Sequence, residues 1–159
     1  MGKLRIAIVG CGGIANQKHM PSIKANADKA EMVAFCDIIP ERAEKAAKEY
    51  GVEGAKVYTD YKEMLADTSV EFDVVHVCTP NVAHCPITVA AFEAGKHVMC
   101  EKPMAHNTEV CVTILRHYMH LVRQENLEKS ILQKHMHLEE ELFLLGAYSL
   151  TKPFRAAVL

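Results

Sequence analysis

No tryptophan occurs in the 159 residues, and aromatic side chains make up only 6% of them. A core built from this chain therefore rests on aliphatic and small side chains rather than on stacked rings. Neither sign of charge dominates: 18 Lys and Arg stand against 20 Asp and Glu, a net charge of -2. That removes the electrostatic case for nucleic acid or an anionic membrane as a partner. Long apolar runs are also missing. Residues 6–11 and 142–145 fall far short of the roughly 18 to 20 residues that span a bilayer, so no transmembrane helix is expected. Lys3 and Arg5 ahead of so brief a run do not make a signal peptide, and a cytoplasmic location is expected. The six cysteines, Cys11, Cys36, Cys78, Cys85, Cys100 and Cys111, include no CxxC pair. Free thiols are expected, not disulfides or a zinc knuckle.

What is present suits a globular domain. Half of the residues are apolar and 24% are charged, enough to bury a core, and the length fits one domain with at most a short appendage. Up to about residue 105 the pattern alternates. Short β-branched apolar runs at 4–9, 32–36, 74–78 and 97–100 each end in glycine, aspartate or a proline-bearing turn, the mark of strands buried on both faces. Residues 56–58 make a fifth, short edge strand. Between them, residues 13–25, 40–50, 61–67 and 83–94 read as helices, with Pro40 and Glu41 suited to a first turn and Gly51 and Gly95 at helix ends. This order predicts an α/β fold, a Rossmann-type doubly wound parallel sheet, because parallel neighbours need crossover helices. Function in such sheets gathers at the carboxyl ends of the strands.

After that point the punctuation disappears. Seven of the eight glycines and all five aspartates precede residue 110, and residues 107–145 contain neither Gly nor Pro. One apolar stripe runs through Val110, Ile114, Tyr118 and Leu121, and a second through Leu127, Ile131, Leu138, Leu142 and Leu145. The chain therefore divides into an α/β domain at 1–106 and a helical C-terminal extension at 107–159. One continuous rod would project from a compact domain, so the apolar helices are expected to cover a sheet edge or to pair with another copy as a homo-oligomer.

The chemistry sits in the turns. Gly10-Cys11-Gly12-Gly13-Ile14-Ala15 is a GxGxxA pattern directly after a strand. Gly10 permits the tight turn, Gly12 lets the backbone approach a pyrophosphate, and Gly13 and Ile14 lead into a helix whose N–H groups attract phosphate. Asp37 ends the second strand, where a carboxylate accepts hydrogen bonds from ribose hydroxyls and repels a 2'-phosphate. The small-molecule partner expected is a dinucleotide, NAD, with NADP less favoured because Arg42 only partly offsets that repulsion. His117 and His120 share a helix face while His135 and His137 do not, and no metal site is expected from them. His19, His76 and His97 read as packing or local hydrogen-bonding residues.

These motifs, with His19-Met20-Pro21, Cys36-Asp37, Val77-Cys78-Thr79-Pro80-Asn81 followed by His84, and Cys100-Glu101-Lys102-Pro103, resemble the N-terminal domain of the glucose-fructose oxidoreductase / inositol dehydrogenase / MocA family over residues 3–109. The resemblance implies that Thr79, Pro80, Asn81 and His84 line the cofactor site. It implies too that Glu101, Lys102 and Pro103 form the catalytic turn, with a cis bond before Pro103. Lys102 is then the residue that works between nicotinamide and a sugar- or cyclitol-like alcohol, polarising the hydroxyl whose carbon gives up hydride. In that family a further strand and an antiparallel sheet domain follow, bringing the substrate site with an aspartate and a histidine. This chain has no aspartate after Asp73, so the substrate half is expected to be absent and turnover incomplete. The alternatives are a non-catalytic NAD-binding or oligomerising module, left by truncation or a frame change near residue 109, and a structural remnant.

Overall fold

The computed structural model describes residues 2–124. Strand β1 (Leu4–Val9) shows why the sheet forms: Ile6 and Ile8 enter one apolar cluster while Ala7 and Val9 enter another. A strand covered on both faces needs no polar alternation. Strand β2 (Ala30–Cys36) pairs with it in parallel, and the register slips between Ile6 and Ala7, where the partner advances from Met32 to Ala34. The slip leaves Val33 and Ala34 together on one face and returns Phe35 to the other, as one extra residue in a ladder must.

Strands β3 (Lys56–Tyr58), β4 (Val74–Val77) and β5 (His97–Cys100) complete a five-stranded sheet in the order β3-β2-β1-β4-β5, every pair parallel. This is the predicted Rossmann-type arrangement, with β3 at one edge and β5 at the other. Helix α1 opens as a π-helical turn over Ala15–His19 and continues as α-helix over Met20–Ala25. Helix α2 (Pro40–Tyr50) lays Ala43 and Ala46 on the sheet, and side chains this small let it lie close. Helices α3 (Tyr61–Ala66) and α4 (Asn81–Glu93) cover the opposite face through Met64, Ile87 and Ala91.

Helix α5 (Thr108–Gln124) packs on α4 rather than on the sheet. Cys85, Ala105 and Ile114 form the buried centre of that contact, with Val110 beside them and Tyr118 tilted against Phe92. Of the predicted stripe, Val110, Ile114 and Tyr118 thus face the domain, and the side chain of Leu121 lies outside those described. The second stripe, from Leu127 to Leu145, lies outside the described residues. All six cysteines are free, and no helix among the described residues is long and apolar enough to cross a membrane.

Candidate active site

Four turns leave the carboxyl ends of β1, β2, β4 and β5 on one side of the sheet. The first begins at Gly10, whose φ of +93° is a left-handed conformation that side chains avoid. A Cβ there would meet the Cys78 carbonyl carbon at 2.7 Å and the Thr79 nitrogen at 2.8 Å. Glycine lets the β1 turn lie directly on the β4 turn. Gly12 is different: a Cβ on it would find nothing within 4 Å, so its lack of a side chain serves no contact within the chain. Gly13 and Ile14 are exposed at the head of α1. Asn16 braces the loop, its Nδ2 donating to the carbonyls of Cys11 at 2.7 Å and Gly12 at 2.8 Å.

Asp37 is only 8% exposed and is tied to that loop. The Cys11 N–H donates to Oδ2 at 2.8 Å and the Ile39 N–H to Oδ1 at 2.9 Å. Each oxygen keeps a further lone pair for an incoming donor. Ile38, next in sequence, is 87% exposed, an apolar surface beside the carboxylate that sequence reasoning passed over. Arg42 is exposed on the first turn of α2 and makes no ion pair with Asp37 among the described residues.

The third and fourth turns are joined by one ring. His84 on α4 is 1% exposed; its Nε2 stands 2.7 Å from the Thr79 carbonyl oxygen and its Nδ1 2.7 Å from that of Pro103. Pro80 and Asn81 lie exposed at the start of α4, and the Thr79 hydroxyl is buried with no hydrogen-bond partner among the described residues. The peptide bond between Lys102 and Pro103 is cis. Glu101 Oε1 lies 2.6 Å from His19 Nε2, and its Oε2 accepts the Lys102 N–H at 3.0 Å. The Lys102 side chain extends into solvent from this anchored turn.

The sequence reading did not single out His19, His76 and Cys78 as a group, yet the fold brings them together. His76 on β4 and Cys78, the residue just after that strand, are two apart in extended chain, a spacing that puts side chains on the same face. Burial, with His19 alongside, pushes the His76 ring down to about 3, and burial pushes the Cys78 thiol well up. The separation of 82 positions between His19 and Glu101 left no local pattern from which that pair was legible.

The geometry fits a dinucleotide. The clear space at Gly12 suits a pyrophosphate, the unpartnered Thr79 hydroxyl has a bond to give, and Ile38 offers a flat base an apolar face. Comparisons with known proteins agree. The family model described as an oxidoreductase family with an NAD-binding Rossmann fold matches residues 4–126. Inositol 2-dehydrogenase of Salmonella typhimurium is 38% identical over 112 residues, covering 70% of this chain and 32% of its own length. D-glucoside 3-dehydrogenase of Escherichia coli is 43% identical over 106 residues, 67% of this chain and 29% of that protein. The WlbA dehydrogenase from Bordetella pertussis, solved with NADH and UDP-GlcNAcA, superposes with a TM-score of 0.68 at 31% identity, covering 76% of this chain and 35% of that one. This chain thus spans about a third of the length of the curated relatives it matches. Glycine turn, strand-end aspartate, Thr-Pro-Asn turn and Glu-Lys-Pro turn on one side of a parallel sheet, together with the match across residues 4–126, assign the chain to the glucose-fructose oxidoreductase / inositol dehydrogenase / MocA oxidoreductase family, in its NAD-binding Rossmann domain.

Proposed function

We propose that the chain holds NAD across the turns after β1, β2 and β4 and presents Lys102 to a sugar- or cyclitol-like alcohol. The observation that carries this reading is the convergence of all four turns, with His84 binding the Thr79 turn to the Pro103 turn. Bound NAD supplies the hydride acceptor. The chain's own residues do the rest of the work. Backbone N–H groups at the head of α1 take the pyrophosphate. The outer lone pairs of Asp37 take ribose hydroxyls, and its charge disfavours a 2'-phosphate, so NAD is preferred over NADP. Thr79, Pro80 and Asn81 border the nicotinamide end. Lys102, whose backbone N–H donates to Glu101 Oε2, polarises the oxygen of the substrate hydroxyl, and the hydroxyl proton passes to a separate base.

This set of residues is a cofactor half, and we propose that it is incomplete as a catalyst by itself. Mixing the purified chain with NAD and myo-inositol or glucose should give nucleotide binding without formation of NADH. Sustained NADH formation would overturn the incompleteness, and NADPH binding more tightly than NADH would overturn the cofactor preference. A second reading, a non-catalytic module that pairs with its own copy, is favoured by β5 standing at the edge of the sheet among the described residues and by exposed Val112, Leu115 and Met119 on α5. Sedimentation as a monomer at high concentration would refute it. The six free thiols favour a reducing, cytoplasmic setting.

A further inference from the structure

We propose that His19, His76 and Cys78 form a site for one borderline-soft divalent cation, zinc in the first instance, beneath the turns at the carboxyl end of the sheet. One ligand atom from each residue lies within 4.8 Å of the other two. All three residues are buried, and none is hydrogen-bonded to another among the described residues. His76 carries the argument furthest. Its Nε2 is buried without a hydrogen-bond partner among the described residues, and proteins seldom leave such a nitrogen unmatched. A cation bound by the triad removes that deficit.

The donor set selects the ion. A thiolate with two imidazoles suits zinc and disfavours magnesium or calcium, which take oxygen ligands. Zinc holds nitrogen at about 2.0 Å and sulfur at about 2.3 Å, so tetrahedral ligand atoms lie about 3.5 Å apart. From the present spacing, closure needs about 1 Å of side-chain movement. Glu101, 2.6 Å from His19 Nε2, supplies the carboxylate that commonly orients a metal-bound imidazole. Charge balances as well. Cys78 releases its proton to solvent on binding, and the thiolate with the Glu101 carboxylate offsets the two positive charges of the ion. His76 lies on β4 and Cys78 directly follows that strand, while His19 closes the π-helical turn of α1, which packs in the same apolar cluster as Val74 and Cys78. The site is thus made by the fold and not by a contiguous motif. It departs from the sequence-based expectation of no metal, and it is independent of whether the chain binds a dinucleotide.

The test uses the full chain, stripped of metal and free of nucleotide, titrated with cobalt(II) alone. One equivalent should produce thiolate-to-cobalt absorption, and one equivalent of zinc should abolish it. Cys78→Ser should remove the absorption and weaken zinc binding at least tenfold in a chelator competition, and His76→Gln should weaken zinc similarly. Cys111→Ser, on α5, should change neither. X-ray absorption of the zinc-loaded wild-type chain should show one sulfur neighbour, a readout that does not depend on whether the variants fold. Absorption that persists in folded Cys78→Ser, cobalt binding without a thiolate band, or zinc without a sulfur neighbour would each overturn the proposal.

Discussion

Replacing Asp37 with alanine should destabilise the folded chain before any nucleotide is added. In Rossmann domains a carboxylate at this position is usually considered for its ribose contact, but here it already accepts the Cys11 N–H at 2.8 Å and the Ile39 N–H at 2.9 Å. Hydrogen bonds to a charged acceptor are worth about 1.5 to 3 kcal/mol each. Cys11 is buried, so its N–H would lose its partner with no water to replace it, at a cost of about 1 to 3 kcal/mol. Ile39 is more exposed, and solvent recovers much of its loss. Together the substitution should cost about 2 to 4 kcal/mol, or roughly 8 to 16 °C in melting temperature for a domain of this size. Asp37→Asn keeps one acceptor oxygen and should fall between. Urea and thermal unfolding without nucleotide measure both. An Asp37→Ala chain as stable as wild type would refute the claim that this carboxylate holds the glycine loop. Nucleotide affinity of the variant is informative only at temperatures where it remains folded.

Other expectations follow from the same contacts. Gly10→Ala combines a left-handed backbone with a Cβ 2.7 Å from the Cys78 carbonyl carbon. It should cost about 3 kcal/mol or more, read as a lowered urea midpoint; an unchanged midpoint would contradict the close approach. His84→Ala strips partners from the Thr79 and Pro103 carbonyls and opens a cavity, at about 2 to 4 kcal/mol. Loss in urea unfolding below about 1 kcal/mol would show that the ring does not tie the two turns. Burial lifts the Cys11, Cys36 and Cys100 thiols to about 12 from an ordinary 9.0. The unfolded chain ionises these groups first, so stability should fall as pH rises from about 9 toward 12; a urea midpoint that stays constant to about pH 10.5 would contradict this. With iodoacetamide near neutrality, half-buried Cys111 should label ahead of the five buried cysteines, a ranking that peptide mapping checks directly.

The sheet was legible because its strands are short β-branched runs closed by turn residues, and Leu4–Val9 and His97–Cys100 begin and end where the pattern does. Helix α2 was equally plain, with Pro40 at its start and Gly51 at its end. The family motifs marked the turns, since glycine spacing and strand-end aspartate are local features. What the sequence hid is long-range or conformational. The slip beside Ala7 depends on how β2 fills two faces at once, and the π-helical turn at Ala15–His19 has no residue signature. The pairing of His19 with Glu101 needs the crossover topology to bring distant turns together. The second task of Asp37, holding Cys11, is a backbone contact that composition cannot reveal. His76 and Cys78 did share a readable signal, their period-two spacing at the end of β4, but the third member comes from another element.

Gly12 separates dinucleotide binding from folding. A Cβ at Gly12 meets nothing within 4 Å among the described residues, so Gly12→Ala should leave melting unchanged or slightly raised, while its methyl group would occupy the space proposed for a pyrophosphate. Calorimetric titration of NAD into wild type and Gly12→Ala is the most direct measurement. The account predicts one NAD per wild-type chain and at least tenfold weaker binding to an equally stable variant. No binding to wild type, or equal affinity in the two, would contradict it.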